Sequence, residues 1–192
     1  MADATGTPRI ERLLADGDRP GAATEAIRTL GPEVLRYLRS LLRNEGDAQD
    51  AFSQFAENLW RGIGTWRGEG SFRAWTFRLA WNAAINMRNE AWRRRGRRLV
   101  TAEVSALADE VRTRSSLRVE RQRQALDRLR ETLTDEEVSL LALRIDQELS
   151  WVEIAQVFAS GGDAVEAPTL MKRFERIKAR LARMARDQGL VE

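Results

Sequence analysis

The sequence predicts an all-α chain of two small helical domains, and three observations carry that prediction. Apolar residues recur at spacings of three and four along most of the chain. No run shows the strict apolar–polar alternation of a half-buried strand. The periodic stretches fall into two groups, separated by residues 96–116, which carry no long apolar stripe. The expected layout is therefore a first domain over 21–95, a linker over 96–116 and a second domain over 117–188.

The elements are taken in chain order. Residues 1–20 are polar with Gly and Pro, although Ile10, Leu13 and Leu14 suit a short helix. From about Pro32 to Arg43, Val34, Leu35, Leu38, Leu41 and Leu42 share a helical face, and Asn44-Glu45-Gly46 ends it. Asp47 is read as the N-cap of the next helix, with Ala48, Phe52, Phe55 and Leu59 turned inward. Gly62, Gly64, Gly68 and Gly70 mark a loop up to Ser71 that holds Trp66 and Arg67. A third helix runs from near Ser71 towards Arg95, with Trp75, Leu79, Ala83 and Met87 on one side.

Periodicity resumes at Leu117, Leu126 and Leu129. Thr134 with Glu137, then Ser150 with Glu153, are capping-box patterns. The first precedes Val138, Leu140, Leu141 and Ile145, and the second precedes Val152, Ile154, Ala155 and Phe158. Ser160-Gly161-Gly162-Asp163 breaks the chain before a last helix that opens at Pro168 and carries Leu170, Phe174, Ile177, Leu181 and Met184 inward.

Composition narrows the chemistry. The chain has 192 residues, 43% of them hydrophobic, which is enough for a real core and excludes wholesale disorder. It has no cysteine and no histidine, which removes disulfides, thiolate metal sites and His-based triads. Carboxylate-only metal sites stay open. No segment reaches the length of a signal peptide's apolar core or of a membrane span, so a cytoplasmic protein without membrane insertion is expected. The formal net charge is only +3, so any basic character lies in distribution rather than total.

That distribution is uneven. Five of the six tryptophans, Trp60, Trp66, Trp75, Trp81 and Trp92, lie just ahead of Arg93-Arg94-Arg95 and Arg97-Arg98. Arginines pair with phosphates, and unstacked bases lie on aromatic faces. On the third helix Arg78, Asn82, Asn86, Asn89 and Arg93 step by four, four, three and four and so share a face. Asn is a mediocre helix former, so three in one stripe invite either a base-reading role or an ordinary solvated face. The glycines and aromatics of the loop Trp66-Arg67-Gly68-Glu69-Gly70-Ser71-Phe72 suit wrapping a small flat object, whereas Trp75 and Phe77 read as core.

The last helix sets Lys172, Arg173, Arg176, Lys178, Arg180, Arg183 and Arg186 against one acid, Glu175, with Lys172, Arg176 and Arg180 as one ridge opposite the apolar stripe. A basic amphipathic helix also suits a membrane or a partner surface. The short capped helix before it makes a helix-turn-helix entering a major groove the better reading. On the second helix Asp47, Asp50, Gln54 and Glu57 form an acidic polar face. Near the helix start its acids help the dipole, and the face suits a protein partner better than catalysis.

These residues resemble a bacterial RNA polymerase sigma factor of the extracytoplasmic-function type, within the sigma-70 family. Asp47-Ala48-Gln49-Asp50 is similar to the acidic opening of region 2.2, and the run from Gly68 to Asn82 to regions 2.3 and 2.4. Leu143-Arg144 and Glu148 to Ala155 resemble the first half of the region 4 helix-turn-helix, and Thr169 to Lys178 its recognition helix.

The resemblance implies a promoter-specificity subunit, not an enzyme, with no cofactor and no metal. Its partners would be the clamp and flap regions of core RNA polymerase, promoter DNA and an anti-sigma factor. Asp47, Asp50, Gln54 and Glu57 would bind core polymerase. Trp66, Arg67, Phe72, Arg78, Asn82, Asn86, Asn89 and Arg93 would capture a flipped base and read the −10 element. Thr169, Lys172, Arg173, Arg176 and Lys178 would contact the −35 element. Gln49 and Ser53-Gln54 make the polymerase-binding face less acidic than the family's, Leu133-Thr134 replaces a common Leu-Pro, and the turn between Ala155 and Thr169 is longer than usual. The competing expectation is a stand-alone helix-turn-helix regulator that never joins polymerase. A carboxylate-metal nuclease would need clustered acids beside the basic face, which the sequence does not offer.

Overall fold

The computed structural model describes residues 7–42, 44–68, 70–95, 131–159 and 165–189, with 90–95 described as backbone only. The expected linker 96–116, the periodicity at Leu117, Leu126 and Leu129, and the break at 160–163 lie outside these residues. Every regular element among the described residues is helical. In chain order they are α1 (Thr7–Ala15), α2 (Arg19–Leu42), α3 (Glu45–Gly62), a 3₁₀ turn (Ile63–Thr65), α4 (Phe72–Arg95), α5 (Asp135–Leu141), a π turn (Ala142–Asp146), α6 (Trp151–Phe158) and α7 (Ala167–Asp187).

The first four helices form one packed unit. The short helix expected around Ile10 is α1, and Ile10 is buried against α2. Helix α2 begins at Arg19, well before Pro32, because Ala22, Ala23, Ala26 and Leu30 extend its buried face upstream. Asp18 caps that earlier start by accepting from the Gly21 N–H at 2.9 Å. Pro32 sits inside α2 on its exposed side. A small residue shapes the α2–α3 crossing: Gly31 is buried, and a Cβ there would stand 3.4 Å from the Phe52 ring.

The N-cap of α3 is Asn44 rather than Asp47: the Asn44 side chain accepts from the Asp47 N–H at 3.0 Å. Asn is as good a cap as Asp, and Asp47 at the third helical position keeps its charge near the positive helix end. Ala48, Ala51, Phe55 and Leu59 turn inward, and Phe52 is half-buried. In α4 the buried set is Phe72, Ala74, Thr76, Phe77, Ala80, Trp81, Ala83 and Ala84, far wider than one stripe. The reason is tertiary: α4 packs against α2 and α3 on one side and against α6 on another.

The C-terminal elements form the helix-turn-helix that the capping boxes mark. Both boxes are closed, Thr134 with Glu137 and Ser150 with Glu153, each contributing about 1 kcal/mol. The π turn after α5 adds a residue to the helical repeat and rotates the chain beyond it. Ile145, expected inside, is therefore exposed, while Gln147 is buried. Glu148 turns the chain at φ 52° before α6. Trp151 meets the Phe174 ring edge-on at 5.3 Å and carries the Arg144 guanidinium 4.8 Å over its face, which ties α6 to α7.

The two units share one continuous core. Trp81 of α4 and Phe158 of α6 meet edge to face at 5.3 Å. Arg73 of α4 donates to Glu33 Oε2 at 2.8 Å and to the carbonyl and side-chain oxygens of Gln147 at 2.6 and 3.0 Å. Arg88 of α4 pairs with Asp135 at the start of α5.

Candidate nucleic-acid interface

Helix α4 presents its polar stripe between two covered sides. On a 3.6-residue helix Arg78, Asn82, Asn86 and Asn89 fall on one strip. Trp81 and Ile85 flank it towards α6, and Leu79 and Ala83 flank it towards α3. The strip itself stays accessible: Arg78 and Asn82 are half-exposed, Asn86 and Asn89 exposed. Such a strip of amides between cations can meet base edges and phosphates together. The backbone of Arg93 continues the helix, and its side chain lies outside the described residues.

The loop ahead of α4 is shaped by two glycines with positive φ, Gly68 at 76° and Gly70 at 80°, a region that costs other residues. Its aromatics divide into two roles. Phe72 is buried, with Trp66 edge-on at 5.1 Å and Trp75 tilted at 5.5 Å. It is a core residue that holds the loop base and offers no face to a ligand here, which corrects the expectation that it flanks a base. The physical reason is its place in the first turn of α4, where the helix phase turns it inward. Trp66 is half-buried, its indole N–H is buried without a hydrogen-bond partner among the described residues, and Arg67 is exposed.

The acidic face of α3 is open. Asp50, Gln54 and Glu57 are exposed and Asp47 is half-exposed. Glu57 pairs with Arg61 at 2.6 Å, an exposed pair of small consequence. Trp60, which the sequence marks only as one of the clustered tryptophans, is 50% exposed on α3 and was not expected on this face. Its position after Gln54 and Glu57 at helical spacing was the available signal. A shallow groove of about 200 Å³ between α3 and α4 is lined by Asp50, Gln54, Glu57 and Asn86. The acidic face and the amide strip therefore adjoin.

On α7, Thr169, Lys172, Arg173, Arg176 and Lys178 are all exposed. Lys178 pairs with Glu175 at 3.2 Å. Arg180 departs from the expected ridge: it reaches back to α5, donating to Glu137 Oε2 at 2.6 Å, and is half-buried. Burial pushes the Glu137 carboxyl up, but hydrogen bonds from Arg180 and Thr134 and the Arg180 charge outweigh it and hold it below the usual carboxylate range. Arg173 and Arg176 also line a groove of about 720 Å³ whose opposite wall is Trp81 and Ile85 of α4.

The loop touches the helix-turn-helix. Ser71 hydrogen-bonds the Glu153 carboxylate. A Cβ on Gly70 would stand 2.7 Å from the Gln156 side chain. Burial raises the Glu153 carboxyl, and hydrogen bonds from Ser150 and Ser71 with the charge of Arg73 outweigh that and hold it low. Among the described residues no cluster of three or more acidic side chains is arranged to hold a metal ion. Among the same residues no helix is long and apolar enough to cross a membrane.

Three comparisons bear on this geometry. Residues 26–98 match the family model for Sigma-70 region 2, a span that holds α3, the loop and α4. No curated protein is matched. The fold is similar to that of CnrH in complex with the cytosolic domain of CnrY, with a TM-score of 0.62, 19% identity, and 93% of this chain and 98% of that chain covered.

Proposed function

From a chain that carries a sigma-70 region 2 domain over residues 26–98, we propose a promoter-specificity subunit of bacterial RNA polymerase, of the extracytoplasmic-function type. The observation that carries the reading is the accessible strip Arg78, Asn82, Asn86 and Asn89, set directly beside the acidic face of α3 within the matched span. In this reading Asp47, Asp50, Gln54 and Glu57 hold the polymerase clamp. Asn82 and Asn86 read −10 bases, with Trp66 and Arg67 at the mouth of the loop and Arg78, Asn89 and Arg93 along the backbone. Thr169, Lys172, Arg173, Arg176 and Lys178 place α7 in the major groove of the −35 element, while its unit meets the polymerase flap. Two modest interfaces on one chain reinforce each other through effective concentration. The protein works in the cytoplasm as a binding subunit, without catalysis, cofactor or metal of its own.

An anti-sigma factor fits the same reading. The groove lined by Trp81, Ile85, Leu140 and Phe158 with Arg173, Arg176, Glu136 and Glu137 combines apolar side chains with charges of both signs, which suits an amphipathic segment of a partner.

The test is in vitro transcription with sigma-free core polymerase on fragmented host genome, with and without the chain. Discrete new 5′ ends sharing two upstream motifs are expected. No transcripts and no core binding would sink the reading in favour of a stand-alone helix-turn-helix regulator.

A further inference from the structure

We propose that Met171 and Glu175 of α7 select base identity in the −35 element. Glu175 accepts from the N4 amino group of a cytosine, and Met171 packs on the C5-methyl of a neighbouring thymine. This rests on the promoter-specificity reading and deepens it, because it names the bases that α7 selects.

Both residues are ill-suited to gripping phosphates. From Lys172 to Arg186 the helix carries seven cations and one acid, Glu175, whose side chain is 67% exposed. Met171, one turn earlier, is a large apolar side chain left 46% exposed. Four residues apart, the two share a strip on the open side of α7, away from the buried Leu170, Phe174 and Ile177. Phosphates repel a carboxylate, and a thioether gains nothing from them. Base edges in a major groove offer partners to both, and both residues lie in the first half of α7, the part of a second helix that meets those edges.

The chemistry picks the bases. In the major groove guanine and thymine offer a carboxylate only acceptors, and adenine sets its amino group beside the N7 acceptor. Cytosine offers the N4 donor alone, so Glu175 favours it. The thymine methyl is the apolar group that suits Met171. The carboxylate is also steadied in advance. Lys178 Nζ lies 3.2 and 3.3 Å from its two oxygens and 5.4 Å from the centre of the Phe174 ring, which is buried and anchors the ammonium against the helix. A carboxylate has about four acceptor sites, so the pair with Lys178 leaves room for a base. An ordinary helical ion pair would account for Glu175 by itself, but not for the open Met171 beside it.

The test is selection of duplexes by holoenzyme assembled from core polymerase and the full chain. The pool is built on one of the chain's own promoters with only the −35 element randomised, and the bound fraction is sequenced. Wild type should enrich a C·G pair of fixed strand sense beside a T·A pair. Glu175→Gln should turn the cytosine preference towards adenine, because an amide bonds N6 and N7 together, and discrimination there should change about tenfold or more. Met171→Ala should relax the neighbouring thymine alone. Lys178→Ala should weaken binding to every sequence and reduce its salt dependence, with the cytosine preference kept. All three side chains are exposed, so the variants should fold. A motif without that cytosine, or equal changes at every position in Glu175→Gln, would overturn the contact and leave the promoter-specificity reading standing. In a parallel selection by the chain alone from fully random duplexes, a Glu175-dependent cytosine without any core-polymerase binding would keep the contact and remove that reading instead.

Discussion

The hydroxyl of Tyr37 in α2 and that of Ser139 in α5 hydrogen-bond at 2.6 Å inside the seam between the two helical units, 102 residues apart in the chain. Both side chains are buried, and each is the other's partner. Burial drives the Tyr37 phenol well above its ordinary range, with the bond from Ser139 offsetting only part of that. The pair therefore stays neutral at any physiological pH and acts as a fixed polar peg in an apolar seam. The Tyr37 ring also packs edge-on to Phe77 at 5.4 Å, so the peg is held in register by α4.

Removing one half of that pair should cost more than removing both. Tyr37→Phe leaves the Ser139 hydroxyl buried without its partner, a loss of about 1–3 kcal/mol. Ser139→Ala strands the phenol similarly. The double variant should lose less than the sum, with a coupling of about 0.5–3 kcal/mol in a urea-unfolding cycle. Strict additivity would show that the two hydroxyls do not interact in solution.

Acid should destabilise the fold in part through two carboxylates of the second unit. The folded-state carboxyls of Glu137 and Glu153 are both held below the usual carboxylate value of about 4.3. A depressed acid contributes stability above its unfolded pKa and loses it as pH falls through the folded one. Stability should be flat from neutral pH to about pH 5 and then decline, and Glu153→Gln should lower the plateau and flatten the decline. Urea midpoints measured across the acid range, starting from neutral pH, report both features. An acid limb unchanged in the Gln variant would rule Glu153 out.

The amide strip should act on opening rather than on assembly. Asn86→Ala is expected to reduce promoter opening, read by permanganate footprinting, while core-polymerase binding is retained. Core binding that falls in step with opening would reassign Asn86 to the groove it shares with Asp50 and Glu57.

On α7, if the proposed −35 role holds, Arg176→Ala should weaken upstream-element binding by about 1–3 kcal/mol, as loss of a bidentate base contact does. Arg180→Ala should act differently. Arg180 is engaged with Glu137, so its loss should lower thermal stability and leave the footprint in place. Equal effects of the two variants on the footprint would contradict the division between an open ridge and an inward-turned arginine.

The sequence by itself determined the helices, the two capping boxes, the amide strip and the basic face of α7. All of these depend on residues three or four apart, which the chain sets out side by side. Local reading misplaced features that a short competing signal decides: Asn44 took the cap from Asp47, and the π turn rotated Ile145 out to solvent. The tertiary structure alone decided the inward turn of Arg180, the burial of Phe72 and the seam that joins Arg73 to Gln147 and Trp81 to Phe158. The paired residues among these are 43 to 77 positions apart, and the burial of Phe72 depends on which face a neighbour covers. No periodicity encodes that, because a contact between remote segments is fixed by how whole helices pack and not by the spacing within any one of them.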